Sequence, residues 1–226
     1  FSDPIVAQPP YTAMFNFSEQ AESWFHITFD NYRYLLEDNL YWISYLKSIK
    51  IAFISTSLCL LIGYPMAYAI ARASSVWRNL LLILIILPFW TSFLLRVYAW
   101  MGMLSTHGVI NNFLISVGLI EQPLKLLYTD FAVYIGIVYT YLPFMILPLF
   151  ASLERLDVDL NEAAADLGAK PTVVFRDITL PLSIPGIIAG SLLVFIPALG
   201  EFVIPALLGG LDSLMIGRTL YDEFFG

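Results

Sequence analysis

The chain has 226 residues, of which 59% are hydrophobic and 13% are charged, and its mean hydropathy is +0.77. Soluble domains carry about 25% charged residues, so this composition predicts a membrane protein. The formal net charge of −7 and the lack of a basic stripe argue against nucleic acid as a partner, and the single cysteine excludes a disulfide within the chain.

Four apolar segments are each long enough for a membrane helix, which needs about 20 residues. They predict an all-α integral membrane protein with spans at residues 46–71, 79–104, 131–153 and 183–208. Prolines inside the spans predict kinks, which leave room for a pathway between helices. These prolines are Pro65, Pro88, Pro143, Pro148 and Pro197.

The charges between the spans predict their orientation. The short connection after the first span carries Arg72 and Arg78 and no acidic residue, so the positive-inside rule places it in the cytoplasm. Alternation then places residues 1–45 and 209–226 outside and residues 154–182 inside. The outer connection between the second and third spans contains an apolar segment, Val109–Val117, which predicts a short helix at the outer surface.

The cytoplasmic segment 154–182 carries helix signals. Asp159 is a predicted N-cap, with Glu162 three positions later as the second half of a capping box. Apolar residues recur at helical spacing and predict one apolar face. The residues of that face are Leu160, Ala163, Ala164 and Leu167.

The same segment carries a stop signal and a second start. Gly168 is predicted to end the first helix in a left-handed conformation, and Pro171 to begin a second short helix that runs to about Asp177. A short helix with an alanine-rich face lets a partner surface approach closely, so the segment is a candidate docking element. From the residues alone, an amphipathic loop without a partner is an equal alternative.

The segment is similar to the EAA motif of ABC importer permeases in residue identity and in spacing. The matching positions are Glu162-Ala163-Ala164, Gly168, Ile178 and Leu180-Pro181. The resemblance implies the transmembrane domain of a type I ABC importer, in which this loop contacts an ATP-binding subunit. It assigns the coupling role to Glu162, Ala163, Ala164, Asp166 and Gly168.

Three further stretches, Leu87–Gly102, Tyr134–Pro148 and Val194–Gly210, resemble permeases of polyamine importers, and among these the first permease subunit of putrescine importers most closely. The resemblance implies six spans in a single permease domain, so we expect the first and last spans to lie outside the given sequence. It implies a multi-pass protein of the bacterial cytoplasmic (inner) membrane.

The resemblance also implies the partners. They are two copies of an ATP-binding subunit, a second and different permease subunit, a polyamine-binding protein at the outer face, and the lipid bilayer. ATP and Mg would be bound by the ATPase subunit, with no cofactor or metal held by this chain and no catalysis by it. The chain itself has no GxxxxGK[ST] phosphate-binding pattern.

Candidate substrate-pathway residues lie inside the spans. Glu201 is the only acidic residue within one, and an intramembrane carboxylate is a functional candidate by default. Aromatic faces attract ammonium groups, and five aromatic residues are candidates for the pathway walls. They are Trp90, Tyr98, Trp100, Tyr139 and Tyr141. Two alternatives remain open: Arg96 can pair with Glu201, and the aromatic residues can simply pack.

Together these features predict a permease that moves a polyamine, putrescine first and spermidine next, by ATP-driven alternating access. Two other functions remain open at this point. One is an ABC importer permease for another small solute. The other is an ion-coupled secondary transporter or an intramembrane enzyme, which the charges of Arg96 and Glu201 within predicted spans would suggest.

Overall fold

The computed structural model describes residues 39–210 and 213–225. The chain separates into two compact units, Phe1–Leu46 and Lys47–Gly226. Of the first unit only residues 39–46, the start of a helix, are described; the predicted outer segment up to residue 38 lies outside the described residues. All regular elements within the described ranges are helical, which confirms the predicted all-α class.

Ten α-helices follow one another along the described chain. They are α1 (Asn39–Arg72), α2 (Ser75–Ile86), α3 (Phe93–Leu104), α4 (Val109–Ser116), α5 (Asp130–Glu154), α6 (Val158–Asp166), α7 (Pro171–Val174), α8 (Leu180–Leu199), α9 (Val203–Leu208) and α10 (Ile216–Phe225). A 3-10 turn, Leu87–Trp90, joins α2 to the break before α3, and a π turn, Phe175–Thr179, joins α7 to α8.

Three helical runs in the described ranges are long and apolar enough to cross a membrane: Tyr41–Arg72, Asp130–Glu154 and Pro171–Leu199. A fourth candidate is the pair Ser75–Trp90 and Phe93–Ser116, provided that this bent pair counts as one span. These runs correspond to the four predicted spans. A helix is present where Val109–Val117 was predicted, as α4, Val109–Ser116; its place at the outer surface stays a prediction.

The second predicted span, 79–104, is not one helix, contrary to the prediction. Its two halves meet at an angle of 91°. Pro88 lies at the break; it has no N–H to donate and its ring excludes the carbonyl one turn earlier. The chain tightens into a 3-10 turn there, and the Thr91 hydroxyl donates a 2.7 Å hydrogen bond to the Pro88 carbonyl. The kink predicted at Pro88 is therefore a complete break.

Two other predicted boundaries need correction. The first helix begins at Asn39, within the predicted outer segment. The fourth span does not begin at residue 183, because the helical run from Pro171 continues into α8 without a break. Pro181 lies at the start of α8, and the wider π turn before it accommodates the missing N–H: Leu180 donates to the carbonyl of Phe175, five residues earlier.

The fourth predicted span also ends early. Helix α8 stops at Leu199, and the short α9 begins only at Val203. Pro205 provides the reason, since its ring is tolerated in the first turn of α9 but would clash with the Glu201 carbonyl in a continuous helix.

Helices α5 and α8 form the centre of the bundle. Gly186 and Gly190, one turn apart on α8, face α5: a Cβ atom at Gly186 would lie 2.6 Å from Ser152 Cβ, and one at Gly190 would lie 2.9 Å from Met145 Sδ. Small residues at this spacing let two membrane helices approach closely. The buried residues form two clusters: one contains Val133, Ile204 and Met215, and the other contains Ile70, Leu149 and Leu153.

Candidate functional site

The segment with the EAA motif forms a short helix, α6, followed by a tight stop. The N-cap is Asp157, whose carboxylate accepts a hydrogen bond from the Asp159 N–H at 3.1 Å. The prediction of Asp159 as the cap was therefore wrong by two residues. Asp157 has the extended backbone that an N-cap needs, whereas Asp159 is already helical and contributes its charge to the first turn.

The end of α6 is as predicted. Gly168 has φ +85°, in the left-handed region. The Gly168 N–H donates to the Ala165 carbonyl at 2.8 Å, and the Ala169 N–H donates to the Ala164 carbonyl at 3.0 Å. This pair of bonds is a Schellman motif, which satisfies two carbonyls that the helix end would otherwise leave unpaired. Pro171 is the first residue of α7, also as predicted.

The apolar face of α6 lies open to the surroundings. Leu160 is 49% exposed and Leu167 is 90% exposed, and Glu162, Ala163 and Asp166 are exposed beside them. The other face of α6 covers a cleft of about 220 Å³. That cleft is lined by Tyr68, Asn161, Ala165, Ala169, Pro171, Val174, Phe175 and Thr179. Of the predicted apolar face, Ala164 is therefore half-buried, whereas Leu160, Ala163 and Leu167 are exposed and open to a partner.

Aromatic contacts join the second half of the loop to α1. The Phe175 ring meets the rings of Tyr64 and Tyr68 edge to face, at centroid separations of 5.7 and 6.2 Å. The Tyr64 and Ser183 hydroxyls share a 2.9 Å hydrogen bond. The second half of the predicted loop 154–182 is helical from Pro171 onward and continuous with α8.

Glu201 lies in the break between α8 and α9 and is 8% exposed. Its Oε2 accepts a 2.6 Å hydrogen bond from the Tyr141 hydroxyl. Its Oε1 accepts from the N–H groups of Val203 at 3.1 Å and Ile204 at 3.4 Å. The carboxylate therefore holds the start of α9 against α5, and its negative charge suits a helix N-terminus.

Arg96 does not pair with Glu201; within the described chain its guanidinium has aromatic neighbours instead. It lies over the Phe89 ring at 5.2 Å and over the Phe93 ring at 5.8 Å, which are cation–π distances. Its Nε atom is buried without a hydrogen-bond partner. The ion pair between Arg96 and Glu201, which the sequence left open as an alternative to a substrate role of Glu201, is therefore not formed in this structure.

The aromatic candidates do not form one cluster. Trp100 and Tyr139 meet edge to face at 5.5 Å and line a groove of about 320 Å³. Tyr141 is two residues after Tyr139, about 200° around the helix, and turns to Glu201 on the other face. Trp90 is 84% exposed at the α2–α3 break, and Tyr98 is exposed on α3. Only two pairs of predicted pathway residues are therefore brought together.

One long-range contact was missed in the sequence. Arg78 donates a 2.6 Å hydrogen bond to Glu154, which lies 76 positions later. The sequence shows Arg78 only as a positive charge of an inner connection, and no local pattern could have identified its partner. In the described residues no group of three or more His, Cys, Asp or Glu side chains is placed to hold a metal ion.

Comparisons with known proteins agree with this architecture. The family model described as binding-protein-dependent transport system inner membrane component matches residues 60–224. The spermidine/putrescine transport system permease protein PotB of Escherichia coli is 47% identical over 197 residues, which cover 87% of this chain and 71% of that protein.

Two solved structures are similar in fold. One is a bacterial ABC transporter involved in the import of the acidic polysaccharide alginate, with a TM-score of 0.58 and 21% identity, and covers 90% of this chain and 66% of that chain. The other is a bacterial alginate ABC transporter in complex with its alginate pentasaccharide-bound periplasmic protein, with a TM-score of 0.60 and 22% identity, covering 86% of this chain and 71% of that chain.

The family match covers most of the chain, and the relative shares nearly half of the aligned residues. The chain is accordingly a multi-pass inner membrane permease of an ABC importer and not itself an enzyme. On this evidence the chain belongs to the family of binding-protein-dependent transport system inner membrane components.

Proposed function

We propose that this permease couples ATP hydrolysis in a partner subunit to alternating access of a polyamine pathway. The observation that carries the proposal is the exposed apolar face of α6, with Leu167 at its end. A face of this kind, rimmed by Glu162 and Asp166, suits a partner surface rather than water. The partner would be the ATP-binding subunit, which holds ATP and Mg.

The connections of α6 support this coupling role. On one side, α5 ends at Glu154, and Asp157 already caps α6. On the other side, the run from Pro171 reaches Leu199 without a break. Because α5 and α8 pack closely through Gly186 and Gly190, a displacement of the loop would move the two helices as a pair.

We propose a polyamine as substrate, with putrescine preferred and spermidine next. The name of the PotB relative supports this class at 47% identity. The groove beside Trp100 and Tyr139 offers aromatic faces for methylene and ammonium groups. Glu201 lies on the opposite face of α5 from this groove, and its carboxylate already accepts three hydrogen bonds, so its negative charge would act at a separate point of the pathway.

The remaining partners follow from the same proposal. Two copies of the ATP-binding subunit would serve this permease and a second, different permease subunit. A polyamine-binding protein would deliver the substrate to the outer face. The alginate transporter complex with its periplasmic protein, whose permease is similar in fold, supports this arrangement.

The test is uptake of labelled putrescine and spermidine by cells without polyamine importers of their own, expressing the full-length subunit with its natural partners. A matched strain carries an ATPase-inactive partner. We expect uptake only with the active ATPase. Uptake that persists with the inactive ATPase would favour an ion-coupled transporter. No polyamine uptake by an assembled complex that hydrolyses ATP would favour another small solute.

A further inference from the structure

Arg78 of α2 contacts two other segments at the predicted cytoplasmic end of the bundle. It lies in the first turn of α2, and its Nη1 atom donates a 2.6 Å hydrogen bond to Glu154 Oε1 at the end of α5. Its Nη2 atom lies 3.3 Å from the carbonyl oxygen of Ala71 and 3.4 Å from that of Ala73, at the end of α1. One side chain therefore joins the corner between α1 and α2 to the helix that leads into the coupling loop.

The other contacts of α2 are apolar and shallow. No residue of α2 is fully buried, and its inner side packs through the partly buried Leu81, Leu82 and Ile85. Apolar contacts are not directional, so they allow one helix to slide or rotate over another. A charge-assisted hydrogen bond has a defined geometry. The bond to Glu154 therefore determines where the first turn of α2 lies relative to the end of α5.

Glu154 is close to the coupling helix along the chain. It is the last residue of α5, and Asp157, three residues later, caps α6. The preceding residue, Leu153, is buried in the same cluster as Ile70 and Ala71 of α1. A displacement of α6 thus reaches Glu154 through only two intervening residues, and reaches α2 through the Glu154 carboxylate.

We propose that Arg78 and Glu154 are a positioning pair, which transmits displacement of α6 to α2 and so to the broken α2–α3 segment. This inference rests on the proposed coupling role of α6. The guanidinium is suited to the task because its planar, rigid fork directs donors to the Glu154 carboxylate and to the carbonyls of Ala71 and Ala73, whereas a lysine ammonium is a point charge on a flexible stem.

The pair is partly exposed, and exposed ion pairs add little to folding stability. Charge reversal should therefore leave the complex folded and assembled, so that coupling can be measured by itself. The variants are Arg78→Glu, Glu154→Arg and the exchange of both. The control is Lys125→Glu, which makes the same charge change at an exposed position outside α2, α5 and α6.

The full-length permease is reconstituted with its partner subunits and binding protein in proteoliposomes, and polyamine uptake and ATP hydrolysis are measured together. We expect each single reversal to lower uptake per ATP hydrolysed about fivefold. The exchanged pair should recover about half of this loss, because it restores the bond between positions 78 and 154 but not the bonds to the carbonyls of Ala71 and Ala73. Lys125→Glu should match the wild type. A loss of general structure would lower both rates together and would not be repaired by the exchange.

A second readout does not depend on the substrate. Spin labels at Val76→Cys on α2 and Ile184→Cys on α8, both at exposed positions, report the ATP-dependent change in their separation. We expect this change in separation to be smaller in each single reversal and to return in part in the exchanged pair, which restores the bond between positions 78 and 154 but not those to Ala71 and Ala73.

The outcomes separate the two proposals. Wild-type uptake per ATP in both single reversals, or no recovery in an assembled exchanged pair, would overturn the positioning role. If Leu167→Asp abolishes coupling while the reversals have no effect, α6 keeps its role and only the pair fails. If Leu167→Asp also couples normally, the proposed function itself fails.

Discussion

Tyr141 donates a 2.6 Å hydrogen bond to Glu201, and this contact joins the middle of α5 to the break between α8 and α9. The same carboxylate accepts two backbone N–H groups of α9. The intramembrane acid thus has a structural partner on another helix, and that partner is a tyrosine hydroxyl rather than the Arg96 guanidinium. Substitutions of Tyr141 and of Arg96 should therefore differ in whether they are energetically coupled to a substitution of Glu201.

Double-mutant cycles test the two candidate partners directly. For Tyr141→Phe with Glu201→Gln, we expect a coupling free energy of about 0.5–3 kcal/mol, because the residues share a hydrogen bond. For Arg96→Gln with Glu201→Gln, we expect additivity within about 0.5 kcal/mol, because Arg96 contacts phenylalanine rings instead. The measurement is the free energy of unfolding in mixed micelles. A large coupling for the arginine pair would contradict the structure.

Glu201→Gln tests the charge apart from the cap. The amide keeps an oxygen that can accept from Val203 and Ile204, so we expect a normal amount of assembled complex. A charged hydrogen-bond partner contributes about 1.5–3 kcal/mol, so polyamine uptake should fall about tenfold or more if the carboxylate meets the substrate. Glu201→Ala, which also removes the cap, is the comparison and should reduce the amount of folded protein. Unchanged uptake by Glu201→Gln would limit Glu201 to its structural contacts.

Gly168→Val tests the left-handed end of α6. No atom lies within 4 Å of a Cβ placed at Gly168, so a new side chain would meet no steric obstacle there. The penalty is backbone strain at φ +85°, about 1–2 kcal/mol for a side chain with a Cβ atom. We expect normal amounts of protein in the membrane and reduced uptake. Gly168→Asn is the control, because asparagine tolerates this conformation, and it should retain most of the activity. Equal activity of both variants would show that the conformation is unimportant.

Leu167→Asp tests the exposed face of α6. A charge at this 90% exposed position costs the isolated permease little, but it would be desolvated beneath a partner surface. We expect the ATP-binding subunit to be lost from the purified complex and uptake to fall with it. Thr172→Asp introduces the same charge at an exposed position in α7 and should leave the complex intact. Normal copurification of the ATP-binding subunit with Leu167→Asp would mean that the partner contacts another surface.

Gly190→Leu tests the close approach of α5 and α8. A Cβ there would already lie 2.9 Å from Met145 Sδ, so the larger side chain must push the helices apart. Overpacking of this kind costs about 1–3 kcal/mol. Ala189→Leu adds a leucine at the neighbouring, exposed position of α8 and should be neutral. The measurement is the midpoint of thermal unfolding in detergent; equal midpoints for the two variants would show that the interface is looser than the structure indicates.

The amino-acid sequence by itself determined the features that depend on local signals. The apolar segments predicted the three long helices and the position of the bent pair, because span length follows from the thickness of the bilayer. Gly168 and Pro171 predicted the end of α6 and the start of α7, because a left-handed stop and a fixed φ are properties of single residues. The N-cap was misplaced from Asp157 to Asp159, since two aspartates in one turn offer equal signals.

The tertiary structure alone decided which distant residues meet. Arg96 and Glu201 looked like natural partners in the sequence, but the break at Pro88 and the turn before α9 direct them to aromatic rings and to Tyr141. The contact between Arg78 and Glu154 likewise joins residues 76 positions apart, and no sequence pattern identifies them as partners. Such pairings depend on helix packing and on the angles at breaks, which are properties of the assembled bundle rather than of any segment.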